Sequence, residues 1–238
     1  MSDPRLPHQL PGGAHVLFTA RAEGNMSSMR GDGAVQGHLA RERLRRQIGV
    51  DRLARARQVH GRVVASVLSS AESVTQGSEQ LSEGDDAAPR LGEADGQVTA
   101  LPAVGVMVLT ADCLPVALGA GDAVAMLHAG WRGLAAGILE EGVAALRELA
   151  GEQELHAVIG PGAGPCCYEV GAEVHAALGE APRRGPIDLA GIAARRLRAA
   201  GVAEVRVLQA CTICDRRFFS HRREGERAGR QAGVAWLS

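Results

Sequence analysis

The chain has 238 residues, a formal net charge of -1, 46% hydrophobic and 22% charged residues, the profile of a globular protein long enough to bury a sizeable core. All 26 basic residues are arginine, which excludes Schiff-base lysine chemistry and a phosphate-binding loop with its lysine. The near-neutral charge argues against a nucleic-acid binder, and the longest apolar run, residues 103–109, is far short of the ~18 residues of a membrane span.

Taken in chain order, residues 15–19 read as a first strand and residues 40–48 as a short Arg-rich helix stopped by Gly49. Residues 62–68 read as a strand. Residues 69–92, rich in Ser, Glu, Gly and Asp, read as an exposed excursion and not a domain boundary, because strand-like segments flank them. Residues 104–110 are a continuous apolar run with three valines, a buried strand. Residues 114–118 and 123–127 are two more. Residues 134–150 then show helical period, with Leu139, Val143, Leu146 and Ala150 on one face and Gly151 as the stop. Residues 157–160 are strand-like, a second helix runs from the N-cap Asp188 to Gly201, and residues 205–208 and 234–237 close the series. Some connections are too short for helical crossovers. The expected class is α+β, one domain over residues 1–238, with a central mixed β-sheet core flanked by helices.

Eight histidines and five cysteines are the pool for metal or nucleophile chemistry. His60, Cys113 and His128 each lie at a strand end or strand–helix junction, where the backbone holds a side chain rigidly while leaving it accessible. Two imidazoles and a thiolate suit zinc, and copper less decisively, with a fourth corner left for water or substrate. Each residue also has a plainer role: Cys113 as core filler, the histidines as turn or surface groups. The three are far apart in sequence, so spacing alone leaves the site open. The expected helix start near Gly133, with Arg132 beside it, favours an anion such as phosphate, although Arg132 equally suits a surface ion pair. Cys166, Cys167, Cys211 and Cys214 read as structural, with redox sensitivity an option. A lone CxxC has no second copy, and adjacent cysteines are poor joint chelators. The arginine clusters at 41–57 and 216–230 have little aromatic interleaving and read as solvated faces.

Gln58-Val59-His60-Gly61, Ala111-Asp112-Cys113-Leu114-Pro115-Val116 and His128-Ala129-Gly130-Trp131-Arg132-Gly133 resemble the YfiH-type laccase-domain family. Its members were first called multicopper polyphenol oxidases and are now described as purine nucleoside phosphorylases. The resemblance continues through Ala94-Asp95-Gly96, Ile159-Gly160-Pro161, Tyr168-Glu169-Val170-Gly171 and Cys211-Thr212. It extends into Phe219-Ser220-His221-Arg222-Arg223 and Gly229-Arg230-Gln231-Ala232. It implies a cytoplasmic zinc enzyme with His60, Cys113 and His128 as ligands. The implied activities are phosphorolysis of adenosine, inosine and methylthioadenosine, and deamination of adenosine. At the N-terminus the stretch from Thr19 to Ser27 keeps Thr, Arg and Ser of the family pattern but loses a glycine. Arg21 still matches and is a candidate phosphate or substrate contact.

On that basis the expected partners are purine nucleosides and phosphate, without nucleic acid or membrane. Arg132, Arg21 and the helix start would hold the phosphate that attacks the ribose, or activated water would attack the purine ring. Asp112 is the candidate catalytic acid, orienting a ligand histidine or moving a proton. Three alternatives stand beside this one. The first is a metal-free cysteine hydrolase or deamidase using Cys113 and His128. The second is a copper-dependent polyphenol oxidase, which the absence of any His-x-His pair disfavours. The third is a non-catalytic zinc-bearing module that binds nucleosides.

Overall fold

The structure is a computed structural model that describes residues 8–27, 32–69 and 90–238. The first half of the described chain contains β1 (His8–Gln9), β2 (Ala14–Phe18), α1 (Asp32–Ile48), β3 (Arg52–Arg57), β4 (Val64–Val67), β5 (Arg90–Glu93) and β6 (Gly96–Thr99). Then come β7 (Val104–Thr110), β8 (Leu114–Ala120), β9 (Ala123–Ala129), α2 (Trp131–Ala136), α3 (Ile138–Ala150) and β10 (His156–Ile159). The chain closes with β11 (Glu169–Val170), α4 (Ala172–Ala177), β12 (Gly185–Pro186), α5 (Leu189–Ala199), β13 (Glu204–Val207), α6 (His221–Glu224) and β14 (Gln231–Leu237).

The strands build two mixed six-stranded sheets, in the orders β1-β2-β14-β7-β3-β5 and β13-β10-β8-β9-β6-β4, with β11 and β12 as a separate ribbon. The α+β class with a mixed sheet core and flanking helices is what the structure has, with the sheet doubled. Phe18, Val106, Val108, Ala117, Met126 and Val158 fill the space between the sheets. Leu139, Val143 and Leu146 of α3 and Ile192 and Leu197 of α5 cover the outer face of the second sheet. Ala40 and Leu44 of α1 cover that of the first, against Leu17, Met107 and Trp236. Each such buried leucine contributes about 1.5–3 kcal/mol. All seven residues of β8 and of β9 are buried, because one face of each strand meets α3 and the other meets the first sheet. That is why both read as continuous apolar runs and not as alternation.

The connectivity between the sheets positions the site. Three strands of the first sheet, β3, β5 and β7, each run directly into a strand of the second, β4, β6 and β8. β3 is parallel to both β5 and β7, so the three corners lie at the same end of the molecule. The corners carry His60, Asp95 and Cys113. His128 reaches that end on β9, where it pairs with Pro115 at the start of β8.

Several sequence expectations shift. The helix expected over 134–150 is two helices, because Gly137 takes φ +96° and ends α2 before α3 begins. The helix expected over 40–48 begins earlier, at Asp32. Residues 70–89 of the expected excursion lie outside the described residues, and its last part is strand β5. β3 was not expected: its arginines suggest a solvated face, yet Leu53, Ala54, Arg55 and Ala56 are buried.

Candidate metal centre

The ligand atoms of His60, Cys113 and His128 all lie within 4.8 Å of one another. A tetrahedral zinc, with bonds of about 2.0–2.3 Å, holds such donors roughly 3.3–3.6 Å apart, so a small closure of the set accommodates the ion. The two imidazole rings meet edge to face, with centroids 4.8 Å apart. His128 is buried, Cys113 partly so, and His60 is exposed, so the set opens to one side.

Asp95 organises the donors. Its buried carboxylate receives His128 Nδ1 at 2.7 Å, which leaves Nε2 for a ligand. It also accepts the backbone N–H of Val59, His60 and Gly61 at 3.1, 2.9 and 2.7 Å, and so fixes the corner that carries His60. Burial alone would push this carboxyl up; the bonds from His128 and the corner amides outweigh it and hold it below the ordinary value. The corners are strained where the site needs them. His60 takes φ +62° and Asp112 φ +89°, in the left-handed region that side chains rarely enter, at a cost of order 1–3 kcal/mol each. Gly130 lets the third piece come close: a Cβ there would lie 2.8 Å from Cys113 Sγ and 3.2 Å from His60 Cδ2.

The donors also tune one another in the metal-free chain. Burial would push the Cys113 thiol up, but His128 and His60 beside it bring it down to about 6. Burial would lower His128, but the Cys113 thiolate and Asp95 raise it to about 9. Both shifts favour the thiolate and the imidazolium.

A cavity of about 820 Å³ opens above the three donors. Arg132, Arg222 and Arg230 border it, with His221, Trp131 and Tyr168. Arg222 lies over the Tyr168 ring at 5.1 Å, and Arg132 over Trp131 at 4.5 Å. Burial, and then the negative Cys113, raise the Tyr168 phenol, so its hydroxyl stays protonated. Arg132 borders the cavity from α2, a helix of six residues that starts at Trp131 and not near Gly133.

Two expected site residues sit differently. Arg21 is not among the cavity's lining residues: it pairs with Glu224, donates to the Phe218 carbonyl at 3.2 Å and covers the Phe219 ring. Asp112 borders the cavity, but its carboxylate accepts from Thr212 Oγ1 at 2.6 Å, Ser220 Oγ at 3.1 Å and the Arg222 N–H at 2.6 Å. The carboxylate that meets His128 is Asp95, whose only sequence signal was its place in Ala94-Asp95-Gly96. Arg222 and Arg230, read in the sequence as part of a solvated arginine face, and Tyr168, read as a packing residue, instead border the cavity. The poor chelating geometry expected of Cys166 and Cys167 is also corrected. With Cys211 and Cys214, their sulfurs all lie within 4.8 Å of one another.

Comparison with known proteins places this geometry among relatives. The family model described as multi-copper polyphenol oxidoreductase laccase matches residues 15–238. A Xylella fastidiosa protein named purine nucleoside phosphorylase is 38% identical over 245 residues, covering 95% of this chain and 88% of that protein. The crystal structure of a Neisseria meningitidis protein superposes with a TM-score of 0.80 at 29% identity, over 99% of this chain and 100% of the other. That of YlmD from Geobacillus stearothermophilus gives 0.80 at 27%, over 100% and 98%.

Proposed function

Since this chain belongs to the family described as multi-copper polyphenol oxidoreductase laccase, we propose that it is a purine nucleoside phosphorylase built around a zinc ion. The observation that carries this reading is the meeting of His60, Cys113 and His128 beneath a cavity bordered by three arginines. One thiolate and two imidazoles suit zinc, and three donors leave a corner open. The relative's name supplies the reaction class. When bound, the ion supplies a Lewis acid next to the substrate.

In phosphorolysis a phosphate oxygen bonds to the ribose C1′ as the C1′–N bond breaks. The bonding pair leaves with the purine, which takes up a proton. Arg132, Arg222 and Arg230 hold and neutralise the phosphate, for which forked guanidinium donors are well shaped. Trp131 and Tyr168 offer the apolar faces a purine needs, and the protonated Tyr168 hydroxyl can donate to the leaving base. Asp112 acts as a positioning residue: by accepting from the Arg222 N–H it fixes the backbone that presents that guanidinium. Adenosine, inosine and methylthioadenosine are the substrates proposed. The same open site suits deamination of adenosine as a further reaction.

One observation favours a second reading. Cys113, His128 and Asp95 also have the order of a nucleophile, base and orienting acid, which needs no metal. His60 speaks against it, because a triad has no use for a second imidazole at the sulfur. A multicopper oxidase has no further imidazole set among the described residues, where the one other candidate group is made of thiols alone. No helix of the described residues is long and apolar enough to cross a membrane. Incubation of the chain with adenosine and inorganic phosphate, with products separated by mass, tests the proposal. Adenine with ribose 1-phosphate is the expected result, and inosine would report deamination. Neither product from metal-loaded protein would overturn the reading.

A further inference from the structure

We propose that Cys166, Cys167, Cys211 and Cys214 form a second metal site, a closed tetrathiolate that holds one zinc ion in a structural role. The four Sγ atoms lie within 4.8 Å of one another, and Cys166 and Cys214 are 3.3 Å apart. Four thiolates around one zinc, at bonds of about 2.3 Å, stand roughly 3.8 Å from each other. The observed spacing brackets that value. A multi-iron cluster spreads its thiolates further, so the geometry points to a single ion.

Adjacent cysteines can share an ion here because residues 164–168 are a tight turn and not a strand. The N–H groups of Cys167 and Tyr168 both donate to the Gly164 carbonyl, at 3.1 and 3.0 Å. In a strand the two side chains would point to opposite faces. The second pair sits on a turn closed by the Asp215 N–H on the Cys211 carbonyl at 2.9 Å. The two turns are already joined, by the Thr212 N–H on the Gly162 carbonyl at 3.0 Å and the Gly164 N–H on Cys211 Sγ at 3.3 Å. An N–H aimed at sulfur stabilises a thiolate. Arg223, paired with Glu224, donates Nη1 to the carbonyls of Thr212 and Ile213, both at 2.8 Å, and so fixes the loop between Cys211 and Cys214.

The site has a use in the fold. Tyr168 follows Cys167 and borders the cavity, and Thr212 follows Cys211 and holds Asp112. An ion here ties together two loops far apart in sequence that shape one wall of the cavity. Four protein donors fill its coordination, so it offers no place to substrate.

The inference stands apart from the proposed activity, and its test needs none. The full chain carrying His60→Ala and Cys113→Ser cannot fill the first centre. Elemental analysis of that protein, purified without chelator, should give one zinc per chain. X-ray absorption at the zinc edge should show four sulfur neighbours and no nitrogen. Adding Cys166→Ser and Cys214→Ser, both at exposed positions, should remove the zinc and lower the Tm by several degrees. If those replacements block folding, the absorption spectrum of the parent variant still decides. Metal-free parent protein, a Cys166–Cys214 disulfide in its place, or iron with acid-labile sulfide would each overturn the proposal.

Discussion

The Asp95 carboxylate accepts from three consecutive backbone amides and from His128, with no solvent exposure. Two predictions belong to this scale. Asp95→Asn keeps the shape but gives up the charge, so zinc affinity should drop by about tenfold to a hundredfold, the usual effect of losing a ligand's orienting partner. Competition with a chromophoric chelator measures it; unchanged affinity would show that Asp95 orients nothing. Asp95→Ala should also cost roughly 3–5 kcal/mol in stability, because buried donors lose their acceptor. The second prediction concerns Cys113. Its thiol is lowered to about 6, so in metal-stripped protein the thiolate form dominates above that pH and alkylation should rise through pH about 6. Peptide mapping by mass isolates Cys113 from the other thiols. In His128→Ala the rise should move toward the ordinary thiol range, because the chief opposing charge to burial is gone. A rise near the ordinary value of 9.0 in the parent chain would contradict the geometry.

Among the elements, the corners between the two sheets matter most. Gly130, at the start of α2, has φ -73°, which any residue adopts, so a replacement there tests space alone. Gly130→Ala places a Cβ 2.8 Å from Cys113 Sγ, and the donors must part. Zinc affinity should fall at least tenfold while the far-ultraviolet circular dichroism stays unchanged. Retained affinity would mean that the three donors need not close up as described. β7, β8 and β9 were legible in the sequence because both their faces are covered and they read as apolar runs. β3 was not, because Arg55 is buried in a stretch whose other arginines reach solvent to different degrees. The break between α2 and α3 was missed because a single glycine inside a helical pattern carries no sign of whether it turns left-handed.

For the whole molecule, the arrangement is a pair of stacked sheets whose three direct crossings deliver His60, Asp95 and Cys113 to one end. Sequence pattern gave eight of the strands but not the second sheet, since alternation says which face is buried and not against what. The three donors were legible as candidates by their places at strand ends and a strand–helix junction, and only the matching stretches singled them out as one set. No spacing along the chain encodes a meeting that the crossings create. Asp95 escaped notice for the same reason, and Arg21 was expected at the cavity because its match in sequence says nothing of its pairing with Glu224. The central claim is that the donors hold an ion on which nucleoside turnover depends. Its most direct test is to follow release of adenine from adenosine in phosphate as zinc is returned to the chelator-stripped chain. The account predicts a silent stripped protein whose turnover returns with zinc, and a Cys113→Ser chain that stays silent throughout. Full turnover by the stripped protein would contradict it.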